Sequence, residues 1–335
     1  MTVQPLLSVR HLTTEFQLAG KQIARALEDV SFDVMPGKTI GLVGESGCGK
    51  TTTLMSIMRL LPASGRITSG NVYFNGIDLL TLSEHEMRAH RWKEMSIIFQ
   101  GAMNALNPVM KIGDQIREAI LLHNLMPRNA AEQRVGELLE LVGIPRLRRD
   151  LYPHQYSGGM RQRAMIAMAL ACSPDLLFAD EPTTALDVMI QAQVLELLKE
   201  IQKKLGLAIV LVTHDLGVVA EMCDDVVVMY GGKVAEYGSA ELVYNQPQHP
   251  YTQRLLEAFP DLSRSIDSST DLATIPGTPP RLNALPPGCR FSPRCHKSME
   301  ICTQIAPDLI AQNTAGNAQH LAACHLLNKL EIKNS

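Results

Sequence analysis

Gly44-Glu45-Ser46-Gly47-Cys48-Gly49-Lys50-Thr51 has the G-x-x-x-x-G-K-[ST] spacing in which backbone N–H groups wrap around nucleotide phosphates. On its N-terminal side, Thr39-Ile40-Gly41-Leu42-Val43 reads as a short buried strand; on the other, Thr52 to Leu61 reads as a helix stopped by Pro62. The loop therefore opens a helix, where unsatisfied backbone N–H groups and the positive end of the dipole favour phosphate. Lys50 can reach the outer phosphates and the Thr51 hydroxyl can ligate Mg²⁺, with Thr52 following in the first turn. Gly44, Gly47 and Gly49, with Ser46 among them, let the backbone approach closely. A glycine-rich turn that binds nothing is the alternative, and the flanking strand and helix weigh against it. Cys48 reads as a small filler residue rather than a redox switch. The stretch predicts ATP or GTP binding.

A second constellation narrows the chemistry. Leu176-Leu177-Phe178-Ala179-Asp180-Glu181 is an apolar strand ending in two carboxylates. The first can hold Mg²⁺ through water and the second can polarise the attacking water. The C-terminal edge of a parallel sheet is also where ligands bind. Between the two constellations, Tyr156-Ser157-Gly158-Gly159-Met160-Arg161-Gln162-Arg163 opens an Ala- and Met-rich helix through Leu170, another helix N-terminus suited to an anion.

With the acidic pair close behind it, that turn resembles the signature of the ABC-transporter ATPases, usually Leu-Ser-Gly-Gly-Gln. Tyr156 and Met160 depart from the pattern at its two ends, which bears on local packing and rate. The resemblance continues in order: Gln100 after Ser96-Ile97-Ile98-Phe99, Ala185-Leu186-Asp187 after the acidic pair, and His214 after Val210-Leu211-Val212-Thr213. It implies that Gln100 senses Mg²⁺ and the attacking water, that Asp187 lies at a dimer seam, and that His214 contacts the γ-phosphate. An adenine platform is expected upstream, and Phe16, ending a strand-like Leu7 to Phe16 before a loop over Gln17 to Arg25, is the candidate; a core or edge aromatic is the alternative. The implied fold is α/β: a P-loop NTPase with a RecA-like core, an antiparallel β subdomain and a helical signature subdomain.

The chain has 335 residues and a formal net charge of −3, with its Lys and Arg scattered, so nucleic acid is a poor candidate partner. The N-terminus lacks a basic segment followed by a long apolar run, and apolar stretches such as Asp225 to Tyr230 are strand-sized. The expectation is a chain neither secreted nor membrane-spanning, docked at the cytoplasmic face of the inner membrane by partners. Ala105 to about Tyr152 shows helical apolar spacing in Ile112, Ile116, Ile120 and in Val135, Leu138, Leu139, Val142. Most of these read as intramolecular core.

Phe99-Gln100-Gly101-Ala102-Met103-Asn104-Ala105-Leu106-Asn107-Pro108 is similar to a stretch of the dipeptide and oligopeptide importer ATPases, as is Gln248-His249-Pro250-Tyr251-Thr252. Gly101 and Ala102 replace an acidic residue and a proline, making the turn after Gln100 more flexible. The expected organisation is an ATPase domain over 1–259, its helical subdomain at about 102–160, and a linker plus small C-terminal unit over 260–335.

In that unit Cys289, Cys295, Cys302 and Cys324 are separated by five, six and twenty-one residues. Clustered cysteines in a cytoplasmic chain point to a metal or cluster rather than disulfides. Four thiolates can close a zinc site or hold an iron-sulfur cluster, and the absence of tight Cys-x-x-Cys knuckles favours the cluster. The resemblance implies a [4Fe-4S] cluster on these four residues; zinc and no cofactor remain open. His296 and His325 could substitute as ligands but read as solvent-facing neighbours.

The resemblance thus implies the ATP-hydrolysing subunit of a peptide importer, paired with a second ABC ATPase, two transmembrane permeases and an extracytoplasmic peptide-binding protein. Lys50, Thr51, Gln100, Asp180, Glu181 and His214 would serve one ATP, while Ser157, Gly158 and Gly159 would cap the partner's. Nickel-chelate or glutathione import is the nearest alternative. A soluble ABC ATPase acting on nucleic acid or the ribosome, or a non-catalytic module, is the alternative of another class.

Overall fold

The computed structural model describes residues 4–101, 105–184, 186–258, 275–311 and 320–327. The chain divides into two compact units: one holds the described residues of Met1–Leu6, Val34–Thr39 and Thr81–Val212, the other those of Leu7–Asp33, Ile40–Leu80 and Thr213–Ser335.

In the second unit, β1 (Leu7–Gln17), β2 (Ile23–Val34), β4 (Gly65–Phe74) and β5 (Ile77–Asp78) form a four-stranded sheet in the order β2-β1-β4-β5. β1 and β4 run antiparallel from Leu7 opposite Phe74 to Phe16 opposite Gly65, with irregularities between Arg10 and Thr14. Leu7 and Val9 alternate with half-buried residues, the period of a strand with one face on a core. The same unit carries β3 (Thr39–Val43), parallel to β9 (Asp225–Tyr230), which pairs antiparallel with β10 (Lys233–Ser239). Every residue of β3 is buried, as expected of a strand covered on both faces.

The first unit carries a parallel run of β6 (Met95–Ile98), β7 (Leu176–Asp180) and β8 (Ala208–Thr213). Its helices include α3 (Ile112–Leu122), α4 (Arg128–Leu141), α5 (Gly158–Ala169) and α6 (Val188–Leu205). Ile112, Ile116 and Ile120 of α3, and Val135, Leu138, Leu139 and the capping Val142 of α4, are all buried, so both stripes are intramolecular core.

Three boundaries differ from the sequence expectation. The helix after the glycine loop, α1, spans Lys50–Ile57 and stops well before Pro62. Arg59 takes a left-handed conformation (φ 52), its N–H donating to Ser56 O and that of Leu60 to Met55 O, the paired bonds of a Schellman ending made without glycine. β1 and β2 nearly meet, leaving a short helical turn at Ala19–Lys21 where a loop to Arg25 was expected. β6 starts and ends one residue early, at Met95 and Ile98.

The C-terminal segment is expected from the sequence to form a small unit of its own. Its described residues lie in the second compact unit: β12 (Leu321–Ala322) pairs with β10 and carries β11 (Ile310–Ala311) on its other edge. A buried ionisable pair fixes this junction. The Glu236 carboxylate on β10 accepts from the backbone N–H of Gln248 (2.8 Å) and His249 (2.9 Å) and from His320 Nε2 (2.7 Å), with both side chains fully buried. Burying such a carboxylate is tolerable because three hydrogen bonds meet it.

Candidate functional site

The phosphate loop is held in a conformation that its glycines alone can adopt. Gly44, Gly47 and Gly49 have φ of 147, 79 and 110, all in the region that excludes most side chains. A Cβ at Gly44 would run into the Met229 carbonyl oxygen; one at Gly49 would stand 2.8 Å from Leu27 Cδ2 and 2.9 Å from Ala26 O. At Gly47 a Cβ would meet nothing, so only the backbone angle asks for glycine there. Gly49 caps α1 without a side-chain bond, so the helix that would receive an anion opens directly from the loop.

Lys50 is buried and folds back over the loop, its Nζ donating to Gly44 O (2.6 Å) and Glu45 O (3.2 Å). The ammonium thus already sits against the loop it would share with a phosphate. Cys48 is buried beneath it; burial raises the thiol pKa, opposed by the nearby ammonium, so the thiol stays protonated and inert.

In the other unit the structure brings Gln100 and Glu181 together. Gln100 Nε2 donates to Glu181 Oε2 at 2.8 Å, and Thr184 Oγ1 donates to the same oxygen at 2.9 Å. Glu181 follows the last strand residue, Asp180, in a left-handed turn (φ 46) fixed by its N–H donating to Val212 O at 2.9 Å. Non-glycine residues adopt that conformation at a cost that surrounding structure must meet, and such outliers concentrate at functional sites. Asp180 is buried at the strand end.

Ser157 caps α5, its Oγ accepting from Met160 N at 3.3 Å. A Cβ at Gly159 would stand 3.0 Å from Ile190 Cγ2, so the signature turn lies against the start of α6, which Asp187 caps by accepting from Ile190 N at 3.0 Å. The two departures from the family signature are absorbed locally. Tyr156 is buried, its hydroxyl donating to Arg148 O at 3.0 Å with its pKa pushed up to about 12 by burial, and the Met160 sulfur accepts from Arg148 Nη1 at 3.6 Å.

His214 is exposed between β8 and α7 (Leu216–Met222), whose N-terminus is capped by the neighbouring Asp215, accepting from Gly217 and Val218. Phe16 is half-buried with its ring against Gly65, its partner across the strands; a Cβ there would stand 2.8 Å from the ring. That contact gives the aromatic a packing role of its own.

The four C-terminal cysteines are free thiols that line one small cavity together with His249, Phe291 and His325. Burial pushes the Cys289 thiol up to about 11 and raises those of Cys295 and Cys324, and the thiols oppose one another's ionisation. Among the described residues, no three His, Cys, Asp or Glu side chains are arranged around a position for a single metal ion. Each neighbouring histidine has one ring nitrogen engaged. His325, expected to face solvent, is buried with Nε2 donating to Ile305 O (2.9 Å), and His296 Nδ1 accepts from Arg254 Nε (3.4 Å).

Sequence reasoning missed the support of the loop's second residue. Glu45 is bound at its N–H by the Tyr251 hydroxyl (2.9 Å) and at its carboxylate by both terminal nitrogens of Arg294 (2.6 and 3.0 Å). Tyr251 lies in a stretch read only as a subfamily marker, and no spacing rule connects it with residue 45.

Comparisons with known proteins fit this geometry. The chain matches a family model described as "ABC transporter" over residues 27–184 and one described as "Oligopeptide/dipeptide transporter, C-terminal region" over 235–302. It is 49% identical to the dipeptide transport ATP-binding protein DppD of Bacillus subtilis, covering 97% of this chain and 95% of that one. It is 47% identical to the oligopeptide transport ATP-binding protein OppD of Escherichia coli, covering 90% and 89%. Among solved structures it resembles the dimeric post-hydrolysis state of the ATP-binding cassette MJ0796 bound to ADP and Pi (TM-score 0.62, 28% identity, 70% of this chain and 98% of that one).

Proposed function

This chain belongs to the ABC transporter ATP-binding proteins, in the branch carrying the oligopeptide/dipeptide C-terminal region, and we propose that it hydrolyses ATP to energise the import of peptides. The observation that carries the catalytic part is the 2.8 Å hydrogen bond from Gln100 to Glu181 beside Asp180, a carboxylate with its sensor at the end of an apolar strand. The peptide cargo rests on the likeness to DppD and OppD along nearly the whole chain.

In this reading the loop amides and Lys50 bind the β- and γ-phosphates, leaving the lysine's present carbonyl partners for the nucleotide. Thr51 and Asp180 hold Mg²⁺, which when bound neutralises charge developing on the phosphate oxygens. Glu181 takes up the attacking water, and Gln100 and His214 report on that water and the γ-phosphate. Ser157, Gly158 and Gly159 cap the ATP held by a second ABC ATPase subunit, with Asp187 at the seam, and Phe16 faces the adenine. Closure of the pair on ATP and its reopening after hydrolysis drive two permeases fed by an extracytoplasmic peptide-binding protein. No helix among the described residues is long and apolar enough to cross a membrane, in keeping with peripheral docking at its cytoplasmic face.

Cys289, Cys295, Cys302 and Cys324 are the residues for a [4Fe-4S] cluster. Their convergence on one cavity supports a shared group. Such a cluster would tie together four points of the C-terminal segment.

Replacing Glu181 by Gln tests the hydrolytic role. ATP binding should stay within a few-fold of wild type while turnover falls by roughly 100-fold or more. Undiminished hydrolysis would remove Glu181 from the role and with it the catalytic reading of this strand end.

A further inference from the structure

The phosphate loop's carboxylate is engaged by a residue of the C-terminal cysteine segment. Arg294, immediately before Cys295, extends both terminal nitrogens to Glu45: Nη1 to Oε2 at 2.6 Å and Nη2 to Oε1 at 3.0 Å. The Arg294 side chain is 5% exposed and that of Glu45 25%, so this pair is far better shielded than a surface ion pair.

The rest of the guanidinium is fully employed. Nε donates to Pro276 O (2.8 Å), Nη2 also reaches Ile275 O (3.2 Å) and Gly277 O (3.3 Å), and Nη1 reaches the Tyr230 hydroxyl (3.2 Å), over whose ring the group sits at 5.9 Å. A planar fork held at this many points cannot swing away without giving up all of these bonds together. Glu45 is also held at its N–H by Tyr251, and its carbonyl accepts from Lys50 Nζ. The phosphate-binding lysine and the distant arginine therefore meet at one residue.

We propose that Arg294 is a positioning residue for ATP binding: it holds the Glu45 carboxylate away from the loop's amides and from Lys50, so that these remain free for phosphate. A carboxylate is the wrong charge beside a triphosphate, and an untethered one would compete with the nucleotide for Lys50 and for the helix N-terminus. Binding it in a bidentate pair removes the competitor and fixes the loop's second residue in one step. The role rests on the reading of Gly44 to Thr51 as the ATP phosphate site.

The test is titration of Mg-ATP into the purified full chain in four forms: wild type, Arg294→Ala, Glu45→Gln, and the double variant, with a thermal melt of each. Arg294→Ala should weaken binding about tenfold, because Glu45 is released as a competing anion. Glu45→Gln alone should stay within about threefold of wild type, and in the double variant it should recover most of the loss, since the released group is then neutral. Arg294→Lys keeps the charge without the fork and should fall between wild type and alanine.

Unchanged affinity in Arg294→Ala would overturn the proposal, as would an equal loss in single and double variants, because a purely structural arginine gains nothing from neutralising Glu45. Should Arg294→Ala fail to fold, the Arg294→Lys form with and without Glu45→Gln carries the same comparison. A wild-type chain that does not bind Mg-ATP would instead bring down the nucleotide reading of the loop itself, and the proposal with it.

Discussion

The phosphate loop and the cysteine segment lie in one compact unit, yet their shapes come from opposite kinds of information. The loop is set by local backbone: three glycines at positive φ, between the strand that ends just before them and the helix that starts just after. The described residues from 275 onward have little regular structure, and their anchors are side chains reaching far along the chain. Arg294 reaches Glu45, Arg290 reaches Glu28 and the Gly231 carbonyl, and His320 reaches Glu236. A motif dictated by neighbours in sequence can be read from that sequence. A contact between residues hundreds apart cannot, because nothing in either stretch specifies the other.

Gly44→Ala should be the most damaging change to the local side of this contrast. The new methyl meets a backbone carbonyl and the φ of 147 is closed to alanine, so ATP affinity should fall by at least ~100-fold, about 2.7 kcal/mol, in a direct binding titration. A variant binding normally would mean that the loop is less rigidly determined than its glycines suggest.

On the long-range side, chain purified anaerobically should be brown and contain acid-labile sulfide, and Cys302→Ser should lose most of both. A colourless chain with one zinc per molecule would transfer the four thiols to a single ion and overturn the cluster, leaving the long-range side of the contrast to a different metal.

The smallest effect is expected at Glu28. Burial alone would raise its carboxyl pKa, but Lys233, Arg290 and Arg25 outweigh it and hold the group below its ordinary value of 4.5. A depressed folded-state pKa gives a contribution present above pH 4.5 and lost as pH falls through the lower folded value. Glu28→Gln should therefore melt a little lower than wild type near neutrality and lose less on acidification below pH 4.5. Parallel pH profiles would show that Arg290 does not hold the segment through this charge.

The same contrast explains what could be read in advance. β3, β7 and β9 stand at or within a residue of their expected bounds because continuous apolar runs admit few alternatives, and the stripes of α3 and α4 are core as their spacing implies. The end of α1 escaped because Arg59 occupies a left-handed ending that usually announces itself by glycine. The burial of His325 escaped because the strand just before it, β12, has only two residues between β10 and β11, too few for any periodicity. The resemblance already put Gln100 and Glu181 at one ATP; the direct hydrogen bond between them follows from β6 and β7 lying side by side.

The clamp on Glu45 also has a consequence for how the molecule is made. Its two partners are 249 residues apart, a distance that a ribosome adding roughly 5–20 residues per second covers in about 12–50 seconds. During that interval the nascent chain already carries its complete glycine loop but not the arginine that restrains it. The restraint thus arrives long after the loop it holds, and a chain released before residue 294 has the motif without it.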